Sequence, residues 1–326
     1  MLPYIDVLNH LEHTHYRSGQ DLANLFGVTR ATIHNCILRI IAMGISVERV
    51  RGKGYKLAKP LDLLDQAAIK AKLTRSVSNN LHQLEILQEV DSTNNYIARC
   101  EMPEVGHFSV VMAEMQTAGK GRRGRHWVSP YAENIYMSLL WPLQTSLSEV
   151  GALSPILSIA MLNALDALGV KDLGVKWPND IYCQNKKLAG VLIECSGEVS
   201  GNSKMIIGIG VNVTMSQQEN VDIDQDWTDV ISHTANQHLT RSELAANLIN
   251  HVVTALERFE NTPTSNLLGE WEQWDVLKDK PVVLHAPNEN ICGIARGIDE
   301  RGHLLLEVDG GVQQISAGDV SLRAQD

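Results

Sequence analysis

The sequence predicts an α+β protein in three parts: an N-terminal winged helix-turn-helix over residues 1–62, a central mixed α/β domain over 63–273, and a small SH3-like β-barrel over 274–326. Three observations lead there. The first sixty residues carry eight Lys/Arg and four Asp/Glu, a net of +4, which leaves −14 for the rest of a chain whose total is −10. The middle of the chain alternates helical periodicity with short apolar strands. From Lys280 onward there are only brief apolar runs separated by Gly, Asn or Asp, the pattern of a small barrel. A length of 326 residues accommodates two or three domains.

In the N-terminal part, Tyr4–Leu11 sets Ile5, Leu8 and Leu11 at helical spacing. Ser18-Gly19-Gln20-Asp21 has the form of a capping box, Leu22, Leu25 and Phe26 follow as an apolar face, and Gly27 ends the helix. Thr29 caps a third helix, with Ile33, Ile37 and Ile41 along one face and Arg30, Thr32, His34, Asn35 and Arg39 on the other. Val47–Leu57 then reads as a hairpin whose tip carries Arg51 and Lys53. A protein-binding bundle shares the helical pattern. The turn glycine, the basic wing and the local charge favour DNA, with the third helix in the major groove and the wing on phosphates. His10, His13 and His15 read as a solvated helix end rather than a metal cluster.

Composition narrows the class further. No stretch reaches the apolar length of a membrane span, and Met1-Leu2-Pro3-Tyr4 lacks the pattern of a signal peptide. Cys36, Cys100, Cys183, Cys195 and Cys292 are scattered without a C-x-x-C pair, which predicts a cytoplasmic protein with neither disulfides nor a zinc site.

Five motifs carry the chemistry of the central part. After a strand at Leu84–Leu87 comes Asp91-Ser92-Thr93-Asn94-Asn95, whose side chains suit either capping of the next helix or a ligand's polar head. A strand over Phe108–Met115 delivers Gln116 and then Gly119-Lys120-Gly121-Arg122-Arg123-Gly124-Arg125-His126-Trp127. Glycine lets a ligand approach the backbone and arginine forks match phosphate or carboxylate, so this loop suits an anion clamp and equally a basic surface loop. Asn134–Trp141 alternates as a strand, and Leu153–Leu168 is a core helix. Val175–Tyr182, containing Lys176-Trp177-Pro178-Asn179-Asp180, and Lys187–Glu194 form a hairpin whose first strand is an edge or is interrupted at Pro178. Lys187 at the mouth of an apolar run is placed to stabilise negative charge, or to point to water. Met205–Val213 is a strand whose Gly208 and Gly210 leave room for a flat ligand, with Asn212 able to read its edge. Leu61–Lys72 reads as a linking helix, Thr240-x-x-Glu243 opens a long core-facing helix, and Trp271 and Trp274 seal the join to the barrel.

These motifs, in this order and with the winged helix and the C-terminal strands, resemble the bifunctional biotin–protein ligases that also repress biotin operons. The resemblance covers nearly the whole chain; the glycine/arginine loop and the K-W-P-N-D motif are its most diagnostic parts. It implies a central domain of the biotin/lipoate ligase type, adenylation of biotin by MgATP, and transfer to a lysine of a biotin carboxyl carrier protein. Ser92, Thr93, Asn94 and Gln116 are then expected at the ureido head of biotin. Gly119, Lys120, Gly121, Arg122, Arg123 and Trp127 are expected around its carboxylate and the phosphate, and Gly190 and Asn212 at the adenylate. Lys187, Arg122 and Asp180 are the expected catalytic residues. Lys120 stands where the family usually carries arginine, keeping the charge without the bidentate fork. Mg²⁺ is expected with ATP rather than in a cage of its own. Operator DNA of biotin synthesis genes and an adenylate-bound homodimer complete the implied partners. A decayed ligase that only senses ligand and a lipoate or octanoate ligase are the competing readings; Lys187 with Arg122 speaks against the first, and the R-R-G-R loop against the second.

Overall fold

The computed structural model describes residues 3–144, 147–198, 201–215, 223, 225–236, 238–286, 290–317 and 321–324. Its N-terminal unit consists of α1 (Tyr4–Leu8), α2 (Gly19–Phe26), α3 (Arg30–Ala42) and the hairpin β1 (Val47–Val50) and β2 (Gly54–Leu57). Ser18 accepts from the N–H groups of Gln20 and Asp21, Thr29 accepts from that of Thr32, and Gly27 closes α2 in the left-handed region at φ 64°. Two apolar assignments differ from expectation. Ile41 is exposed, and the buried stripe of α3 is Ile33, Cys36, Ile37 and Ile40. Steps of four residues overshoot a 3.6-residue turn by about 40° each, so a strict four-residue series leaves the buried face. Leu25 is 60% exposed, because α2 packs through Leu22 and Ala23. The first helix is also shorter than expected, and Leu11 reaches the core from beyond its end.

The hairpin is a wing held against the helices by a bridge between Arg17 and Tyr55. Gly54 makes this possible: at φ 114°, a Cβ there would lie 2.0 Å from the carbonyl oxygen of Arg17.

A linking segment leads through α4 (Gln66–Lys72) and α5 (Arg75–Asn80) to the central sheet. The linking helix begins only at Gln66, capped by the Asp65 side chain, because the backbone before it is engaged by Arg241 and Glu114. The central elements are β3 (Leu81–Leu87), α6 (Thr93–Ile97), β4 (Phe108–Ala113), β5 (Asn134–Leu143), α7 (Leu153–Ala167), β6 (Leu173–Lys176), β7 (Asp180–Cys183), β8 (Lys186–Glu198), β9 (Gly201–Asn212) and α8 (Arg241–Asn261). Their seven strands order as β3-β4-β5-β9-β8-β7-β6; β3 and β4 run parallel and the remaining neighbours antiparallel. The expected strand over Val175–Tyr182 is two strands. The chain reverses at Trp177-Pro178-Asn179, where Pro178 has no N–H to give a ladder, and β6 becomes the sheet edge.

The two sheet faces do different work. Ile135, Met137, Leu139 and Trp141 of β5 join the main core with α7 and α8, while Leu140 packs with Ile97, Val111 and Ile206 beneath α6. The alternating residues of β5 on the α6 face include Ser138, which lies within reach of the motif at Ser92. Contrary to the composition reading, Val150–Ala167 is long and apolar enough to cross a membrane, with a mean hydropathy of 1.5, but 67% of it is buried inside the protein. That apolarity serves the core.

After α9 (Thr264–Leu267) and α10 (Trp271–Trp274) come β10 (Pro281–His285), β11 (Asn290–Ile298), β12 (Leu304–Val308), β13 (Gly311–Ile315) and β14 (Ser321–Ala324). They form an antiparallel sheet in the order β13-β12-β11-β10-β14, the five short strands expected of the small barrel domain. Val320, where the last strand was expected to start, lies outside the described residues. Trp177 donates its indole N–H to Gly302 O at 3.0 Å, which docks this domain beside the W-P-N-D turn.

Candidate active site and DNA-reading face

The polar motif before α6 does not spend its side chains on capping. Ser92 occupies the N-cap position but makes no side-chain cap hydrogen bond. Thr93 instead donates through its backbone N–H and its hydroxyl to Gln116 Oε1, at 2.9 and 3.2 Å. Gln116 in turn donates to Ser129 Oγ at 3.1 Å. The Ser138 hydroxyl lies against Asn94 Oδ1 and, at 2.7 Å, against Thr93 Oγ1. Asn94 donates to Glu194 Oε2 at 2.6 Å. Ser92, Thr93 and Asn94 are all buried, and partners satisfy and orient the Thr93 and Asn94 side chains, as buried polar groups require. Just before them, the Asn95 amide hydrogen-bonded to Asp91 holds that carboxyl below its ordinary range.

Above this cluster the glycine/arginine loop makes a tight return: Gly121 N–H bonds Arg125 O at 2.8 Å and Trp127 N–H bonds Gly119 O at 2.9 Å. Arg123 takes a left-handed conformation at φ 57°. Arg122 reaches out of the loop, donating to Asn179 Oδ1 at 3.2 Å and to Ala317 O of the C-terminal domain. Lys120 lies 3.8 Å from Glu194 Oε1. The loop is therefore tied at three places: to β8, to the W-P-N-D turn and to the C-terminal domain.

Lys187 lies at the start of β8, its Nζ 2.8 Å from Asp180 Oδ1 and 5.4 Å from the centre of the Trp127 ring. The pair is only slightly accessible, at 12% for the lysine and 21% for the aspartate side chain. The β7–β8 hairpin register sets Asp180 opposite Gly190, which leaves space for the ion pair.

The two β9 glycines make room, but for the site's own walls. A Cβ on Gly208 would lie 2.5 Å from Asn94 Oδ1, and one on Gly210 would lie 2.5 Å from the Trp127 ring. Trp127 Nε1 is a buried donor without a partner among the described residues.

The polar motif at Ser92–Asn94, Gln116, the loop from Lys120 to Arg123, Trp127 and the Lys187–Asp180 pair line one cavity of about 1410 Å³, with Ser129, Ser138 and Glu194 behind its wall. Of the residues expected at the ligands, Gly119 and Asn212 are the two not on its wall: Gly119 braces the loop, and Asn212 donates to Thr228 O at 3.1 Å. Sequence reading missed the opposite wall. Asp226, Trp227 and Thr228 run beside the start of β8, where Lys187 N–H bonds Asp226 O at 2.9 Å and Thr228 N–H bonds Lys187 O at 3.0 Å. It also missed Ser138 and Glu194. Alternation on β5 was the available signal for Ser138; nothing local marked Glu194. Among the described residues, no group of three or more His, Cys, Asp or Glu is placed to hold a metal ion.

On the winged helix, Arg30, Asn35, Arg51 and Lys53 are exposed. Thr32 is engaged with the Thr29 cap, 3.0 Å between hydroxyls, and His34 lies 3.4 Å from the Tyr55 hydroxyl. Arg39 is placed differently from the other expected DNA contacts: it sits 3.6 Å from Glu89 of the central domain and over the ring of Tyr4.

Fold and site define a ligase that activates a small carboxylate on a nucleotide, joined to a DNA reader. Residues 87–212 match the biotin/lipoate A/B protein ligase family, 279–323 the biotin protein ligase C-terminal domain and 5–56 an HTH domain. The chain is 37% identical over 314 residues to the bifunctional ligase/repressor BirA of Escherichia coli, covering 96% of this chain and 95% of that one. It is 29% identical to the bifunctional ligase/repressor BirA of Bacillus subtilis, over 94% of this chain and 93% of that one. Among solved structures, the biotin protein ligase of Aquifex aeolicus in complex with biotin and ATP superposes with a TM-score of 0.65 at 28% identity, covering 75% of this chain and all of that one. The chain belongs to the family of bifunctional biotin–protein ligases and repressors.

Proposed function

We propose that this protein adenylates biotin with MgATP, transfers the biotinoyl group to a lysine of a biotin carboxyl carrier protein and, with the adenylate bound, represses biotin synthesis genes by binding their operator. The observation that carries the reading is the Lys187–Asp180 pair beneath Trp127, in a cavity roofed by the glycine/arginine loop.

In the first step a biotin carboxylate oxygen attacks the α-phosphorus of ATP and pyrophosphate leaves. In the second the carrier lysine amine attacks the acyl carbon and AMP leaves. Both transition states spread negative charge over phosphoryl and carbonyl oxygens, so positioning and fixed positive charge do most of the work. Lys187 supplies that charge in the cavity, with Asp180 holding its ammonium in place until substrate oxygens arrive. Ser92, Thr93, Asn94 and Gln116 serve the ureido head. Lys120, Gly121, Arg122 and Arg123 surround the carboxylate and α-phosphate, with Trp127 as a wall and Gly190 leaving space. Asn212 contributes by holding the 226–228 segment through Thr228. Mg²⁺ arrives on the phosphate oxygens of ATP.

The winged helix occupies residues 1–62, the ligase domain 63–273 and the C-terminal domain 274–326. Arg30, Thr32, His34, Asn35, Arg51 and Lys53 serve DNA. The adenylate orders the loop, favours a cytoplasmic homodimer and sets two winged helices on a two-fold operator; the carrier protein competes for the same surface. The test has two arms. Incubation with MgATP, biotin and a carrier domain adds one biotinoyl mass to the carrier, and biotinoyl-AMP raises operator affinity in a gel shift. An unmodified carrier overturns the ligase reading, and equal operator affinity with and without adenylate overturns the corepressor reading.

A further expected result concerns the roof. Arg122→Gly removes the ties to Asn179 and Ala317, so the bound adenylate is released about ten-fold faster or more, the loss of one charge-assisted contact of about 1.5–3 kcal/mol. A trapped-adenylate off-rate equal to that of the unsubstituted protein removes the clamp role.

A further inference from the structure

The winged helix is packed on the ligase domain rather than tethered to it. Tyr131 and Ala132 of the ligase domain sit in the same apolar cluster as Val7, Ile33 and Ile37 of the winged helix. At the edge of this seam the Tyr4 hydroxyl donates to Glu89 Oε2. The Arg39 guanidinium approaches the same oxygen at 3.6 Å and covers the Tyr4 ring at 4.1 Å from its centre. Arg39 lies in the last turn of α3, the helix proposed above to read DNA.

Glu89 belongs to the segment that ends in the polar motif. Val90 N–H bonds Met115 O at 3.2 Å, Thr117 N–H bonds Val90 O at 2.9 Å, and Ala118 N–H bonds Asp91 O at 2.8 Å. The chain then passes directly into Ser92, Thr93 and Asn94. One carboxylate therefore joins α1 and α3 of the DNA-binding unit to the strand-like segment that sets those groups opposite Gln116.

We propose that Glu89 is a positioning residue for the biotin-binding segment, held by Tyr4 and Arg39, so that Arg39 of the recognition helix serves the ligase reaction. This rests on the reading of Ser92, Thr93, Asn94 and Gln116 as the biotin-head site. Movement of the segment changes binding of substrate and transition state alike, so its signature is a raised KM with kcat retained.

The test measures pyrophosphate release against biotin concentration at saturating MgATP, in the full-length protein. Glu89→Ala and Arg39→Ala each raise the biotin KM about five-fold or more, a typical coupling between sites, while kcat moves less than about two-fold. The double variant is no worse than the worse single one, as expected of one shared contact. Arg39→Lys recovers most of the loss and Tyr4→Phe, which removes only a hydroxyl, shifts KM in the same direction; this pair keeps the test decisive if an alanine variant fails to fold. An unchanged KM in Glu89→Ala, or additive effects in the double variant, overturns the proposal. So does an Arg39→Ala protein whose only defect is weaker operator binding, which would make Arg39 a DNA contact. Absence of pyrophosphate release from the unsubstituted protein would instead overturn the biotin reading.

Discussion

Lys187→Ala slows adenylation by about 10²–10³-fold, the usual cost of removing one fixed charge aimed at developing negative charge, while biotin affinity falls far less. The lysine is nearly enclosed, and its Nζ is held 2.8 Å from Asp180. In such surroundings its field on a reacting phosphate is weakly screened. Substitution also leaves the Asp180 carboxylate unpaired where the substrate's carboxylate and phosphates must enter, so repulsion adds to the lost attraction. Lys187→Ala combined with Asp180→Asn separates the two: the double variant regains the part of the rate lost to repulsion and not the part lost with the ammonium. Pyrophosphate release reports the first step and calorimetry reports biotin affinity. Near-normal pyrophosphate release from Lys187→Ala would end the catalytic assignment.

Much of this site was legible because its parts are local signals. The glycine/arginine loop, Lys187 at the start of an apolar run and the polar cluster at Ser92 each stand out within a few residues. Helix caps were equally readable: Ser18, Thr29 and Thr240 all accept from the backbone as their positions imply. What could not be read was the partner across the sheet. Asn94 finds Glu194 one hundred positions away, and only the β8–β9 and β5–β9 registers bring those strands under α6. The same limit explains the glycines of β9. Their small size was visible, but the Asn94 amide and Trp127 ring that fill the space come from other segments. It explains Arg39 too, whose surface position on a helix wheel says nothing of a second domain beyond it. Periodicity misled at Ile41, where a four-residue step was followed too strictly, and at Leu25, where α2 packs through Leu22 and Ala23 instead.

Arg241→Ala destabilises the ligase domain by about 3–5 kcal/mol, the cost of leaving a buried charge without its partner. Arg241 and Glu114 are almost completely buried, at 0% and 1% side-chain exposure, and are in direct contact. The guanidinium donates to Asp62 O and Asn134 O as well, and Glu114 Oε1 accepts from Leu64 N–H at 2.7 Å. A single ion pair thus fastens the segment leaving the winged helix to the first turn of α8 and to the inner strands β4 and β5. Removal of one member strands the other; removal of both does not. Glu114→Leu with Arg241→Met therefore regains much of the loss, since desolvating two charges offsets most of their mutual attraction and apolar side chains refill the space. What remains lost is the set of backbone groups at Asp62, Leu64 and Asn134 that had these side chains as partners, each costing about 1–3 kcal/mol when left unsatisfied. Urea-denaturation midpoints of the two single variants and the double variant make the comparison. A double variant as unstable as the worse single one would show that the network is needed for its hydrogen bonds to the linker rather than for charge balance.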